Sequence, residues 1–432
     1  MCDERHSRSG RQYAPAVSAD LQPMVVARGS LEAYEEAAGG EAIEAVRAAA
    51  GPVRGARVVH VSGAHGGRVP ELLSALLPLA LDAGVEVEWR VLFGGPELDA
   101  VVPALQEGFQ GAETAVDDAA WEAYLGACGR AADALGDGWD CIVLHDPAAL
   151  GLAAVLDERV VWRCHVDGSE PDPPLLERAR PLAESCEVIA VPEESFAPDV
   201  LRGPRLRRAP PGIDPLSTRN LEPSVGLPGR VVRPLDVDLD NPFVFQLMRL
   251  DRWKDPHATI KAFALAREEL PGLQLVLAAE LDSGDSAGWH AVKEVSDYAG
   301  DHEAIHLLTS YEGVGHLEVG ALQRLARVGL QRSLREGFGL AASEALWKGT
   351  PVIGNPQGGL PLQVRDGLDG YLTETPEETA ERIVELVRDP GLAVEMGRSG
   401  RERVRERFLV TRALEADLAV LGAALGATVE RQ

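Results

Sequence analysis

The sequence has few cysteines and no long hydrophobic run. Its five cysteines are scattered over 432 residues without a Cys-x-x-Cys pair, which argues against a disulfide framework and against a zinc site. No stretch approaches the ~20 apolar residues that are needed to span a bilayer, and the polar N-terminal region lacks the apolar core of a signal peptide. We therefore expect a cytoplasmic protein in a reducing compartment.

Cations are also scarce in this chain. It has 42 Lys and Arg against 68 Asp and Glu, and a formal net charge of −26. This balance disfavours non-specific binding to nucleic acid or to an anionic membrane, so an anionic substrate would have to be held by a few local cations. The remaining composition, 45% hydrophobic and 25% charged, is ordinary for a globular protein, and the length allows two domains.

Strands and helices alternate through the first half of the sequence. Residues 1–28 are predicted to be a flexible tail, and the helical segment from Leu31 is broken at Gly39 and Gly40. The apolar strand at 57–63 is followed by a glycine-rich turn and a leucine-rich helix. This order is typical of a doubly wound parallel sheet. Further strands are expected at 85–94, 141–150, 160–169 and 188–195.

A second α/β series follows a stretch at 221–241 that is rich in Pro, Gly, Val and Asp and is the best linker candidate. We predict two doubly wound parallel-sheet domains, over 29–235 and 236–408. A C-terminal helix within 409–432 is expected to pack back towards the first domain. The strands of the second domain are expected at 243–250, 273–280, 305–309, 328–333, 351–355 and 370–374.

Two acids flank a glycine turn in the second domain. Glu336 precedes the turn at 337–339, and Glu344 lies on the helix that starts behind it. Glycines allow close approach to a ligand, and a helix N-terminus presents N–H groups to phosphate. Carboxylates accept hydrogen bonds from sugar hydroxyls. The stretch predicts a nucleotide-sugar site, with a surface glutamate, a glycine turn and an ordinary helix as the alternative.

Polar residues follow two predicted strands of the first domain. His145 and Asp146 end one strand, and His165 and Asp167 end the next. In open α/β sheets ligands bind beyond the carboxyl ends of the strands. The repeated pairing favours a site here over histidines that only support the structure.

A pair of cations, Arg249 and Lys254, follows the first strand of the second domain. A guanidinium and a mobile ammonium at a strand end suit a diphosphate. Ordinary surface charge is the alternative interpretation of this pair.

The segment E-G-F-G-L-A-A-S-E at 336–344 resembles the signature of retaining glycosyltransferases of family 4, which have the GT-B fold. Further segments resemble the trehalose glycosyltransferring synthases: WRCHVD, GIDPLSTRN, RLDRWKDP, GVGHLEV and SLREGFGLAASEALWKGTPVIG. The resemblance extends over about residues 31–408. Enzymes of this family join a nucleotide-activated glucose to free glucose. The resemblance therefore implies transfer of a hexosyl unit, most simply glucosyl, from a nucleotide diphosphate sugar to glucose, giving trehalose.

The family pattern also implies site residues. The groups at the reacting centre would be Arg249, Lys254, His165 and Glu336. Donor-binding residues would be Gly66, Gly67, Glu336, Gly337, Phe338, Gly339, Leu340 and Glu344. Acceptor-binding residues would be His145, Asp146 and Asp167, together with Arg68, which is added because it departs from the family pattern. No metal or other cofactor is implied, because Arg, Lys and a helix N-terminus supply the positive charge.

Individual roles follow from the same resemblance. Glu344 would bind the ribose hydroxyls, and Glu336 the hydroxyls of the donor sugar, while His165 would lie beside the donor sugar ring. Arg249 and Lys254 would neutralise the departing diphosphate. The expected partners are the nucleotide sugar and a small sugar acceptor, and a homo-oligomer is compatible with the sequence.

The first glycine-rich loop departs from the family form G-G-G-V-A-E, because Arg68 follows Gly66 and Gly67. A cation near the acceptor leaves a phosphorylated sugar, or a sugar-like intermediate of secondary metabolism, as an alternative acceptor. A trehalose phosphorylase-type reaction is a further alternative. From a different class, the chain could be a non-catalytic sugar-binding protein.

Overall fold

Two open sheets form the framework of the chain in the computed structural model, which describes residues 20–64, 68–93, 95–249, 253–281, 286–300 and 302–426. The first sheet has the strand order β1-β3-β2-β4-β5-β6-β7, and only the β1–β3 pairing is antiparallel. Its strands are β1 (Leu21–Met24), β2 (Arg57–Gly63), β3 (Glu86–Leu92), β4 (Cys141–His145), β5 (Val160–Arg163), β6 (Val188–Val191) and β7 (Leu206–Arg208).

Helices cover both faces of this sheet, because its central strands carry apolar residues on both faces and these must be buried on both sides. The helices of the first domain are α1 (Glu35–Ala38), α2 (Gly40–Ala50), α3 (Val69–Asp82), α4 (Gly95–Phe109), α5 (Asp118–Leu135), α6 (Asp146–Leu150) and α7 (Pro173–Ser185).

The second sheet is parallel throughout, with the order β10-β9-β8-β11-β12-β13. Its strands are β8 (Phe243–Arg249), β9 (Gln274–Glu280), β10 (Ile305–Thr309), β11 (Val328–Gln331), β12 (Val352–Gly354) and β13 (Gly370–Leu372). The helices of the second half are α8 (Leu227–Val232), α9 (Pro256–Glu269), α10 (Ser286–Ala299), α11 (His316–Leu325), α12 (Leu340–Trp347), α13 (Leu360–Gln363), α14 (Pro376–Arg388) and α15 (Pro390–Arg407). The predicted fold class, two doubly wound parallel-sheet domains, is confirmed.

The last helix, α16 (Val410–Ala424), returns to the first domain. Its apolar stripe, which includes Leu414 and Leu418, is buried in the same core as Val143 of β4. Burying a leucine of this kind contributes about 1.5–3 kcal/mol. The chain returns to the first domain beside the segment around Ile213. There the N–H of Val410 donates to the carbonyl of Ile213 at 2.8 Å.

Two details of the predicted organisation need correction. The tail predicted over 1–28 is wrong for Leu21–Met24, which pairs with β3 at the edge of the sheet; residues 1–19 lie outside the described part of the chain. Pro23 is compatible with this strand because an edge strand can leave one side unpaired. The predicted linker at 221–241 contains α8, which packs against α11. Among the described residues no helix is long and apolar enough to cross a membrane.

Candidate functional site

Residues beyond the carboxyl ends of the two sheets contact each other across the domain boundary. Arg335, after β11, donates from Nη2 to the hydroxyl of Ser169, which follows β5, at 3.1 Å. A Cβ at Gly337 would lie 3.3 Å from the carbonyl oxygen of His165, so a glycine allows the two loops to approach closely. The loops that carry Glu336 in the second domain and His165 in the first therefore lie against each other at the domain boundary.

Glu336 lies in a cationic and polar surrounding. Its carboxylate accepts hydrogen bonds from the Lys254 ammonium, from the Gln331 amide at 2.7 Å and from the Ser333 hydroxyl at 2.9 Å. Burial alone would raise the pKa of Glu336, but Lys254 and these hydrogen bonds outweigh burial and hold the pKa below its usual value. Glu336 is therefore a charged acceptor at the start of the glycine turn.

The backbone brings Lys254 to this carboxylate. Lys254 forms an antiparallel bridge with Ser333, and the next residue, Asp255, caps α9 by accepting from the N–H of Ala258 at 3.0 Å. Both contacts fix the segment that follows β8. Arg249 is the last residue of β8, and its side chain lies outside the described part of the structure.

The glycine turn positions the N-terminus of α12. Gly339 has a φ of +81° and precedes Leu340, the first residue of the helix, while the Phe338 ring is buried against Phe408 with ring centroids 5.5 Å apart. The first backbone N–H groups of α12 thus lie just behind Glu336. A helix start in this position can bind phosphate.

A second glycine pair supports the turn. The N–H of Gly359 donates to the carbonyl of Gly337 at 2.8 Å. At Gly358, with a φ of +54°, a Cβ would come within 1.9 Å of the Glu336 carbonyl oxygen, which no side chain permits. This support of the turn depends on a tertiary contact between the two glycine segments.

Glu344 is almost fully buried on α12, with 3% of its side chain exposed. Arg68 Nη1 lies 2.8 Å from one carboxylate oxygen, and Arg219 Nη1 lies 3.5 Å from the other. Burial would raise the pKa of Glu344, but Arg68, Arg219 and Lys348 together lower it to about 2. Arg68, predicted to lie near the acceptor because it departs from the family pattern, thus contacts the acid that the resemblance implies for the donor's ribose.

Three residues of this cluster were not predicted as site residues. Arg219 and Asn220 end the segment GIDPLSTRN, and Lys348 lies one turn after Glu344 on the same helix. Lys348 Nζ donates to Asn220 Oδ1 at 2.6 Å, and burial is the largest effect that lowers the pKa of Lys348 to about 7. The segment GIDPLSTRN carries part of the family resemblance, but no role was predicted for its last two residues; the i,i+4 spacing to Glu344 is the signal that could have placed Lys348 on the same helix face.

The predicted histidines are in direct contact. His145 Nδ1 lies 3.0 Å from His165 Nε2, with the rings stacked 5.3 Å apart. A third histidine, His60 of β2, lies with its Nδ1 3.0 Å from His145 Nε2. Burial is the largest effect that lowers the pKa of each ring, to about 3 for His60. All three imidazoles are therefore neutral near pH 7.

The two predicted aspartates differ in their contacts. Asp146 has a φ of 60°, an uncommon value for a residue with a side chain, and its carboxylate accepts from the N–H of His165 at 2.7 Å. Burial raises the pKa of Asp146 to about 6. Asp167 accepts from the N–H of Ser169 at 3.0 Å and lies 3.9 Å from Arg335 Nε. Asp146 thus holds the backbone of His165, and Asp167 faces the second domain.

Two predicted donor-binding residues, Gly66 and Gly67, lie outside the described residues. Within the described ranges, no group of three or more His, Cys, Asp or Glu side chains is placed to hold a metal ion.

Comparisons with known proteins agree with this arrangement. The family model "Trehalose synthase, N-terminal domain" matches residues 60–198, and "Glycosyl transferases group 1" matches residues 232–403. The chain is 38% identical over 386 residues to the trehalose synthase of Rubrobacter xylanophilus, covering 87% of this chain and 92% of that protein. It is 33% identical over 396 residues to the trehalose synthase of Thermococcus litoralis, covering 90% and 96%.

Among solved structures, the chain is similar to a UDP-forming α,α-trehalose-phosphate synthase from Burkholderia xenovorans. The TM-score is 0.66 at 16% identity, and the match covers 85% of this chain and 98% of that chain. At this identity the likeness shows the fold, and it confirms the predicted GT-B arrangement of two domains.

Proposed function

Because the chain belongs to the trehalose synthase family of glycosyltransferases, we propose that it moves a glucosyl unit from a nucleotide diphosphate sugar to free glucose. The product would be trehalose, formed with retention of the donor's anomeric configuration. The contact of Lys254 with Glu336, just in front of the N-terminus of α12, is the observation that carries this proposal. The Lys254 ammonium, the Glu336 carboxylate and the start of α12 thus lie together at the glycine turn.

The main chemical task is to stabilise the departing diphosphate. Lys254, Arg249 and the first N–H groups of α12 supply positive charge where negative charge develops. As the bond from the sugar's anomeric carbon to the phosphate oxygen breaks, the acceptor oxygen bonds to the same face of that carbon. The acceptor's proton passes to the departing phosphate oxygen. No nucleophilic carboxylate is needed, so Glu336 is free to accept from the hydroxyls of the donor sugar.

The donor half of the site rests on Glu344 and α12. A buried carboxylate with a pKa of about 2 stays ionised at any physiological pH and accepts strongly from ribose hydroxyls. The name of the Burkholderia structure, UDP-forming, supports a nucleoside diphosphate as the leaving group. The proposal requires no metal ion.

The acceptor is proposed to be uncharged. A phosphorylated acceptor was suggested by the cation at position 68, but Arg68 already pairs with Glu344 on the donor side. Near Asp167 the cation is Arg335, which also lies 4.0 Å from Glu170, so acidic groups offset its charge. These contacts favour free glucose over a sugar phosphate.

A matrix of donors and acceptors tests the proposal. Purified protein is incubated with UDP-, ADP- and GDP-glucose against glucose, glucose 6-phosphate, inositol phosphate and inorganic phosphate plus trehalose, and products are identified. Trehalose from free glucose is the expected result. Preferential use of glucose 6-phosphate would show that the acceptor is this sugar phosphate and not free glucose. Phosphate-dependent cleavage of trehalose would indicate a phosphorylase. Nucleotide binding without turnover would indicate a sugar-binding protein.

A further inference from the structure

Three histidines of the first domain form a continuous row that runs from the interdomain site into the core. His60, His145 and His165 are joined by two contacts of 3.0 Å between ring nitrogens, and successive ring centroids are 5.3 Å apart. The family resemblance implies that His165 lies beside the donor sugar ring and that His145 lies towards the acceptor. It gives no role to His60, which is the innermost ring of the row.

The register of the sheet builds this row. In the pairing of β2 with β4, His60 lies opposite Val143, and in the pairing of β4 with β5, His145 lies opposite Arg163. His145 therefore lies two residues beyond Val143, the partner of His60. In the same way, His165 lies two residues beyond Arg163, the partner of His145. Because side chains alternate along a strand, a step of two keeps them on one face. Arg163 lies on that same face beside the row.

Counting protons limits the row to two arrangements. All three rings are neutral, because burial and the nearby Arg163 guanidinium hold each pKa low, so each ring carries one proton. His145 takes part in both contacts with one proton, so it must donate in one and accept in the other. Both hydrogen bonds then run in the same direction along the row. The third proton lies at one of its two ends, on Nε2 of His60 or on Nδ1 of His165.

The core end of the row decides between them. His60 borders a small cavity that is also lined by Arg163 and Asp417 of α16, and Asp417 lies 3.1 Å from Arg163 Nε. Among the described residues, Nη1 of the buried Arg163 finds no hydrogen-bond acceptor. The guanidinium does not hydrogen-bond to His60, but its positive charge favours a bare Nε2 over an N–H at this end of the row. The third proton then lies on Nδ1 of His165.

We propose that His60 and His145 are positioning residues, which act with His165 as one hydrogen-bonded unit and fix its ring as the Nδ1–H tautomer. Nδ1 of His165 is buried and finds no hydrogen-bond partner among the described residues, so an N–H there is paired only when a ligand oxygen, such as a hydroxyl of the donor sugar, reaches it. Arg163, held by Asp417 of the C-terminal helix, sets the direction of the unit. The inference rests on the proposed function for its consequence in catalysis, whereas the tautomers of the row can be measured without any activity.

Solid-state ¹⁵N NMR of protein labelled with ¹⁵N-histidine reads the tautomers directly, because protonated and bare ring nitrogens have well-separated shifts. The chain has 10 histidines, and single variants assign the signals. All three rings are expected to be protonated on Nδ1. A mixed set of tautomers, a set protonated on Nε2, or a doubly protonated ring would overturn the inference.

Variants at His60 test the coupling, since His60 does not contact His165 through a hydrogen bond. His60→Leu removes the donor to His145, so His165 should populate both tautomers and kcat should fall about tenfold to hundredfold, with donor KM changed less than about twofold. His60→Asn keeps an N–H near the Nδ1 position and should restore one tautomer and most of kcat.

A matched control is His306→Leu in β10 of the other domain. His306 is also a strand histidine bonded to a side chain, Gln274, at 3.2 Å. It should leave kcat and the His165 signals unchanged. Unchanged kcat in a folded His60→Leu protein, or equal losses in His60→Leu and His60→Asn, would overturn the positioning role. If no glycosyl transfer is found at all, the proposed function fails, while the tautomers still decide whether the row is one unit.

Discussion

The guanidinium of Arg68 lies 2.8 Å from the carboxylate of Glu344, and the two residues belong to different domains. Glu344 is the acid that the family pattern assigns to the ribose of the donor. The cation that replaces the third glycine of the family's first loop therefore engages the same carboxylate that the donor would use. We therefore expect Arg68 and the ribose hydroxyls to compete for one oxygen of Glu344.

Arg68→Gly, which restores the family residue, should tighten donor binding. Arg68 is partly exposed, so its ion pair contributes about 0.5–1 kcal/mol, which corresponds to a fall of about two- to fivefold in the donor dissociation constant. Titration calorimetry with the nucleotide sugar measures this, and Arg68→Lys, which keeps the charge, is the control. Weaker binding in Arg68→Gly would mean that Arg68 contacts the donor.

Glu344→Gln should destabilise the protein as well as weaken donor binding. Arg219 and Lys348 are buried, and removing the buried carboxylate that they share leaves Arg219 with the more distant and more exposed Glu71, at a cost of about 3 kcal/mol in the free energy of unfolding. Denaturant unfolding measures the loss, with Glu222→Gln, whose partners Arg324 and Arg401 are more exposed, as the control. A loss no greater than that of the control would contradict the buried cluster.

The same carboxylate predicts a pH dependence of stability. The pKa of Glu344 is lowered from 4.5 to about 2 in the folded chain, so its stabilising effect is fully present above pH 4.5 and is lost as the pH falls towards 2. The wild-type unfolding midpoint should therefore fall more steeply over this interval than that of Glu344→Gln. Parallel pH curves for the two proteins would show that Glu344 is not ionised as described.

Lys254→Met should lower kcat by at least about a hundredfold, because it removes charge from the departing diphosphate. Only 12% of the Lys254 side chain is exposed, so the variant should also lose some stability. Gln331 and Ser333 still donate hydrogen bonds to Glu336 in this variant, which limits the loss. Lys261→Met removes the exposed ion pair with Glu377 and should leave both kcat and stability near wild type. Near-wild-type turnover in Lys254→Met would remove Lys254 from the site.

Chelation of metal ions should leave activity unchanged. Lys254, Arg249 and the N-terminus of α12 are proposed to supply the positive charge that a divalent ion provides in other transferases. Initial rates are compared with and without EDTA, and after adding Mg²⁺ or Mn²⁺. Loss of activity with EDTA that a divalent ion restores would contradict this part of the proposal.

Local pattern was enough to predict much of the fold. The apolar runs at 57–63 and 305–309 coincide with β2 and β10, and α16 lies within the range 409–432 that was predicted to contain the final helix. Strand β1 was missed because four residues that include Pro23 give no strand signal, and pairing with β3 rather than propensity makes them a strand.

The site was predictable as a set of residues but not as a set of contacts. Glu336 and Lys254 stand out at a glycine turn and at a strand end, yet their pairing joins residues 82 positions apart. The position of His60 in the row depends on the register of three strands, so in the sequence it is only one polar residue in an apolar run. The contact of Arg68 with Glu344 likewise depends on how the two domains meet.

The most direct measurement of the central claim is the structure of the product made from an α-configured nucleotide glucose and ¹³C-labelled glucose. The account predicts α,α-trehalose by NMR, with the label in one ring only, formed by wild type and largely lost in Lys254→Met. A product with inverted configuration, or no labelled disaccharide from any nucleotide glucose, would contradict it.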